Sequence, residues 1–126
     1  MKKEELLKLA DSLKLPKEEY CILSGGALLL HGLREQTQDL DILITQKGFE
    51  MLNKNFSLEL KDADEKLYKV TDDIECFLVD KLDSDINFID NYPCKSLISI
   101  YNFKKRLNRE KDQADILAIE KFLNLK

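Results

Sequence analysis

The chain is poor in the side chains that build nitrogen- and sulfur-ligated metal centres. It has one histidine, His31, and three cysteines, Cys21, Cys76 and Cys94, which form neither a CxxC pair nor a Cys/His cluster. A zinc site therefore has almost no ligands to draw on. Cys21 and Cys76 sit within apolar runs and read as small core residues rather than nucleophiles. Long apolar runs are missing too: stretches such as Ala27 to Leu30 are far too short to span a bilayer. The opening segment MKKEELLKLADSLK mixes acids with its basic residues and has no sustained apolar core, so it does not read as a signal peptide, and a cytoplasmic protein is expected. Repeats, low-complexity tracts and linker-like stretches are also lacking.

What is present suits one globular domain over residues 1–126. Apolar residues make up 44% and charged residues 35%, which argues against disorder. A chain of this length buries about two-thirds of its unfolded surface on folding. The net charge of −4 gives no global pull toward nucleic acid, yet Lys104 to Lys111 (KKRLNREK) holds five basic residues and one acid.

Apolar spacing predicts an amphipathic helix over Lys3–Leu13, closed by Pro16, and a buried strand over Tyr20–Leu23. Gly25 and Gly26 break that strand, and ALLLHG reads as a short helix stopped by Gly32. A second strand is predicted over Asp39–Thr45 and a helix over Gln46–Asn53. Further strands are expected near Phe56–Leu60, Leu67–Val70 and Ile74–Val79, the last two joined by a turn at Thr71–Asp73. After Pro93 the chain reads as helical, with Ser96–Leu107 and Glu110–Leu125 separated at Asn108. Ala114, Ile116, Leu117, Ile119 and Leu123 are the expected inward stripe of the last helix. Phe49, Phe56, Phe77 and Phe122 are expected in the core. The outcome is a small α/β (α+β) domain: a mixed, mostly antiparallel sheet flanked by helices, with helices at its C-terminus.

Chemistry concentrates in SGGALLLHGLREQTQDLDILI, Ser24 to Ile44. Side chains alternate along a strand, so Asp39 and Asp41 share one face while Leu40 and Ile42 share the other. Two neighbouring carboxylates repel unless a cation sits between them. Oxygen donors without nitrogen or sulfur suit Mg²⁺ or Mn²⁺, which keep positions open for water and phosphate. Ser24, Gly25 and Gly26, at a strand-to-helix turn, would let an anion approach backbone N–H groups. His31, near a helix end, reads as satisfying carbonyls or facing solvent rather than performing acid–base work.

Gly25-Gly26, twelve intervening residues and then Asp39-Leu40-Asp41-Ile42 resemble the signature of the DNA polymerase β-like nucleotidyltransferase superfamily. More narrowly, Leu29, Gly32, Arg34 and Thr37 resemble positions of the stand-alone nucleotidyltransferases grouped with abortive-infection-type toxins. Leu28 departs from the alanine favoured there. The specific part covers about a seventh of the chain. The resemblance implies a third carboxylate on a later strand. Glu75 fits best, in the middle of an apolar strand where an acid is costly unless solvated or paired; Asp73 and Asp80 are the alternatives. Lys105, Arg109, Lys111, Asp112 and Asp115 also match a C-terminal pattern of these relatives. It implies a helix-tethering role for Asp112 and Asp115 and nucleotide-phosphate contacts for Lys105 and Arg109, while the Gly-x-Arg match implies nucleotide binding by Arg34. The function so implied is transfer of a nucleoside monophosphate from a nucleoside triphosphate such as ATP to a hydroxyl acceptor (RNA, protein or small molecule), with Mg²⁺ or Mn²⁺ held by Asp39, Asp41 and Glu75, in a toxin–antitoxin or phage-defence setting. A nucleotidyltransferase-fold protein that binds a nucleotide or a protein partner without turnover is the rival.

Overall fold

Seven strands form one sheet in the computed structural model, which describes residues 1–125. The chain begins with α1 (Lys3–Ser12), whose Leu6 and Ala10 are buried. It continues through β1 (Tyr20–Ile22), α2 (Ser24–Leu30), β2 (Leu40–Ile44) and α3 (Gln46–Asn55). Then come β3 (Glu59–Asp62), β4 (Leu67–Thr71), β5 (Ile74–Leu78), β6 (Ile86–Ile89) and β7 (Tyr92–Lys95). Helix α4 (Leu97–Leu107), a single 3₁₀ turn (Glu110–Asp112) and α5 (Gln113–Leu123) close the fold. Strand order is β3-β4-β5-β2-β1-β7-β6. The β1–β7 and β2–β5 pairs are parallel and the other pairings antiparallel, so the expected mixed, mostly antiparallel α/β architecture is what the chain adopts.

The sheet centre explains where the core lies. All three residues of β1 are buried, as its bulky side chains require. In β2 the burial alternates: Leu40, Ile42 and Ile44 are fully buried, Asp41 and Leu43 only partly. The buried set packs with Leu6, Ala27 and Leu28 from the helices. Thr45 caps α3 by accepting a hydrogen bond from the Gly48 N–H at 3.2 Å. Asn108 ends α4 in the left-handed conformation, φ 49°, which the short polar side chain of asparagine tolerates.

Three expectations need correction. The chain does not turn helical directly after Pro93: β6 and β7 form a hairpin first, and Pro93 lies inside β7. Ala114 and Leu117 do not face inward, and Phe77 and Phe122 are not core: Ala114 is exposed, Leu117 and Phe122 are 64% and 62% exposed, and Phe77 is only half-buried on the open side of β5, while α5 buries Ile116 and Ile119 instead. The helix expected over Glu110–Leu125 divides into the 3₁₀ turn and α5. None of the helices among the described residues is long and apolar enough to cross a membrane.

Candidate active site

Strands β2 and β5 run parallel with Asp41 opposite Glu75, so the two carboxylates emerge from the same face of the sheet as cross-strand neighbours. Asp39 precedes β2, where the Leu40 N–H donates to the Asp73 carbonyl at 2.8 Å and fixes the entry of the strand. Both aspartates line a polar cleft of about 630 Å³. Burial, followed by the charges of Glu75 and Asp39, pushes the Asp41 carboxyl up to about 6, against a smaller opposing pull from Lys61.

Glu75 is engaged differently. Lys61, on β3, reaches past β4 and forms an ion pair with it. Among the described residues, no group of three or more His, Cys, Asp and Glu side chains is arranged to hold a metal ion. On the β2 side of the cleft the oxygen donors are two carboxylates, Asp39 and Asp41, with a third, Glu75, on the adjoining strand held by a lysine. Oxygen donors carrying this much mutual repulsion fit a hard divalent cation that takes its remaining ligands from water and phosphate. Asp73 lies exposed in the β4–β5 turn and Asp80 is exposed beyond β5, whereas Glu75 stands in register with Asp41.

The opposite wall of the cleft is cationic and comes from the C-terminal helices. Lys104 is only 8% exposed, and its ammonium lies 2.9 Å from Asp112 and 3.4 Å from Asp115. Arg109 donates from Nε to Asp112 at 2.6 Å, and Arg34 from Nη2 to Asp115 at 2.7 Å. Burial acts to raise the Asp112 carboxyl, but the hydrogen bonds from Lys104 and Arg109 more than offset it and hold it below the usual range. Asp112 and Asp115 thus tie α4, α5 and the loop after α2 into one charged lattice. Arg34, Lys104, Arg109 and Lys111 all line the cleft.

Lys105 is not brought there. It is exposed, its ammonium 5.9 Å from the centre of the Tyr101 ring, and Lys104 takes the cleft position instead. The sequence held a signal for this. Lys104 continues the buried Leu97 and Ile100 positions at helical spacing, which places it on the inward stripe.

The two glycines also divide. Ser24 and Gly25 line the cleft, and a Cβ on Gly25 would come within 2.5 Å of Thr37 Oγ1 and 2.9 Å of Arg34 Nη1. Gly26 is buried, and a Cβ there would meet Ile22 Cγ2 at 2.9 Å in the core. Gly26 therefore permits α2 to pack, and Gly25 keeps the cleft open. Ser24 adopts φ 51°, the left-handed region, at the point where β1 gives way to α2.

The remaining reactive types lie outside this site. Burial pushes the Cys21 and Cys76 thiols up to about 12 and that of Cys94 to about 11, as suits core residues. His31 Nε2 lies 2.8 Å from the Lys95 carbonyl, a structural contact.

The chain superimposes on a crystal structure described as that of a "putative nucleotidyltransferase" from Thermotoga maritima, with a TM-score of 0.63 over 98% of this chain and 96% of that one. Sequence identity is 17%, so the likeness establishes a nucleotidyltransferase-like fold. No family model matches the chain, and no curated protein matches it significantly.

Proposed function

We propose that this protein is a metal-dependent nucleotidyltransferase, akin to the stand-alone abortive-infection-type toxins, that moves a nucleoside monophosphate from a nucleoside triphosphate to an acceptor hydroxyl. One observation carries the reading. On a nucleotidyltransferase-like fold, Asp39 and Asp41 share a cleft with Ser24, Gly25 and a wall of four cations. Acids on one side and cations on the other suit a polyphosphate spanning the cleft.

Ser24, Gly25, Lys104, Arg109 and Lys111 would bind the triphosphate tail and orient its α-phosphate toward the acids. Asp39 and Asp41 would hold Mg²⁺ or Mn²⁺, with Glu75 joining once Lys61 releases it. The bound metal would supply charge neutralisation at the phosphates. The acceptor oxygen attacks the α-phosphorus, a new P–O bond forms and the bond to the β-phosphate breaks, so pyrophosphate leaves. The hydroxyl proton passes to a neighbouring carboxylate, for which Glu75 is the assigned candidate.

Incubation with α-labelled nucleoside triphosphates, Mg²⁺ or Mn²⁺ and cell extract tests the proposal. Label is expected in RNA, protein or a small product, and loss of that label in Asp41→Asn ties the transfer to the site. The ion pair between Lys61 and Glu75 favours a second reading, a nucleotide-binding protein of the same fold without turnover. Nucleotide binding with no transferred label would support that one.

A further inference from the structure

The two edges of the sheet are built differently. One edge, β3, reads ELKD: Glu59, Lys61 and Asp62 are charged, and its register with β4 shifts between Leu60 and Asp62. Charges and bulges are the usual means of keeping an open edge from pairing with another chain. The other edge, β6, reads INFI and has neither, and its Phe88 is 60% exposed. The hairpin joining β6 to β7 settles which backbone groups of β6 are free. Asp90 and Asn91 both lie in the left-handed region, φ 51° and 74°, as a two-residue type I′ turn requires. Such a turn closes on a hydrogen-bonded pair, here Ile89 and Tyr92, and bonded and non-bonded pairs then alternate along the ladder. Asn87 and Ile89 therefore direct their N–H and C=O groups at β7. The Ser96 N–H, donating to the Asp85 carbonyl at 3.0 Å, continues the same phase. Ile86 and Phe88 direct theirs outward, where no strand among the described residues meets them.

We infer that β6 is the contact of a symmetric dimer, pairing antiparallel with β6 of a second copy so that two seven-stranded sheets become one. Self-complementarity picks this occupant. With Asn87 on the twofold axis, the outward N–H and C=O groups of Ile86 and Phe88 meet those of the partner's Phe88 and Ile86. The same register sets each Phe88 side chain against the partner's Ile86, an apolar cross-strand pair. The two Asn87 amides stand opposite each other, where each can donate to the other's oxygen. Acids surround the strand, yet none opposes another: Asp85 faces the partner's Ile89, Asp83 the partner's Asn91, and Asp90 the partner's Ser84. The contact is only four residues long on each side, so it belongs with small, reversible interfaces. It also leaves the acids of β2 untouched. The two copies of β2 lie seven strand spacings apart in the joined sheet, about 34 Å, and both acidic sites open on the same face.

Sedimentation equilibrium from about 1 µM to about 1 mM protein tests the pairing. The wild-type chain is expected to pass reversibly from monomer to dimer across that range. Phe88→Lys, which puts a charge on the edge, should weaken the dimer about two- to thirtyfold, because two cross-strand pairs go at once. Its melting temperature and Mn²⁺ affinity should not change, since Phe88 is exposed and far from the acids. Cysteine substitution reads the register. The native thiols are buried, so mild oxidation should link two copies of Asn87→Cys across the axis. Phe88→Cys should not link, because its two Cα atoms would lie roughly 8 Å apart, beyond the reach of a disulfide. A chain that stays monomeric at every concentration would overturn the inference. In that case, protection of the β6 amides from hydrogen exchange only after addition of cell extract would assign the edge to a foreign strand. A dimer that Phe88→Lys leaves intact, or equal linking at positions 87 and 88, would overturn it too.

Discussion

At the scale of single residues, Asp41 shows what a charged cleft costs a fold. Its carboxyl is raised from 3.8 to about 6, so between those pH values the folded state binds more protons than the unfolded one. Stability conferred by this group is full below the unfolded value and is lost as pH rises through the folded one. At neutral pH the ionised Asp41 is a net penalty, on the order of 1–3 kcal/mol. Asp41→Asn is therefore expected to raise the melting temperature by several degrees at pH 7.5, with the gain vanishing below pH 3.8. A thermal scan across that range checks both the sign and the window. Lys61 acts on the same charges from the other side. Lys61→Met should free Glu75 and make the site more negative, raising Mn²⁺ affinity a few-fold. The effect is modest because an exposed ion pair is worth about 0.2–1 kcal/mol. Mn²⁺ titration followed by electron paramagnetic resonance reads this directly, and unchanged or weaker binding would show that Lys61 does not compete for the acid.

At the scale of elements, the C-terminal helices illustrate a buried ion network whose members are not interchangeable. Lys104→Met keeps the stem but leaves Asp112, 3% exposed, with Arg109 alone. Breaking a buried pair typically costs about 3–5 kcal/mol; the surviving Arg109 contact places the expected loss at the lower end, whereas Lys105→Met should change stability little. Denaturant unfolding of the two neighbours tests the assignment. The pair also shows how legible this region was. The charge pattern identified the cluster, but Lys104 and Lys105 differ only in helical phase, and the apolar stripe through Leu97 and Ile100 decides between them. Other elements resisted for different reasons. Strand β7 contains Pro93, which offers no N–H to a ladder and normally argues against a strand with neighbours on both sides. β6, with Ile86 and Ile89 partly buried and Asn87 and Phe88 exposed, has no clean alternation to read. By contrast, β2 and β5 were clear because buried apolar positions alternate with half-buried ones along all of β2 and along β5 as far as Phe77, the pattern of a sheet with one packed face.

At the scale of the whole molecule, that alternation separates stability from chemistry. Leu40, Ile42 and Ile44 of β2 point into the core with no exposed surface, whereas Asp41 and Leu43, on the other face, are only half-buried and Asp41 lines the cleft. Gly25 and Gly26 repeat the division one element earlier, with adjacent positions serving opposite sides. An alanine scan from Leu40 to Ile44 should therefore give two interleaved profiles rather than one. Ile42→Ala should cost about 2–5 kcal/mol through the cavity it leaves, with ligand affinity intact in the molecules that remain folded. Asp41→Ala should abolish divalent binding while leaving the fold at least as stable at neutral pH. Leu43→Ala, partly buried, should cost less stability than Ile42→Ala and leave Mn²⁺ affinity unchanged. Melting temperature, Mn²⁺ affinity and nucleotide affinity measured on each variant test the period of two. A scan in which stability and binding fall together at every position would mean that the two faces are not functionally distinct, and the cleft would then be a by-product of packing rather than a site.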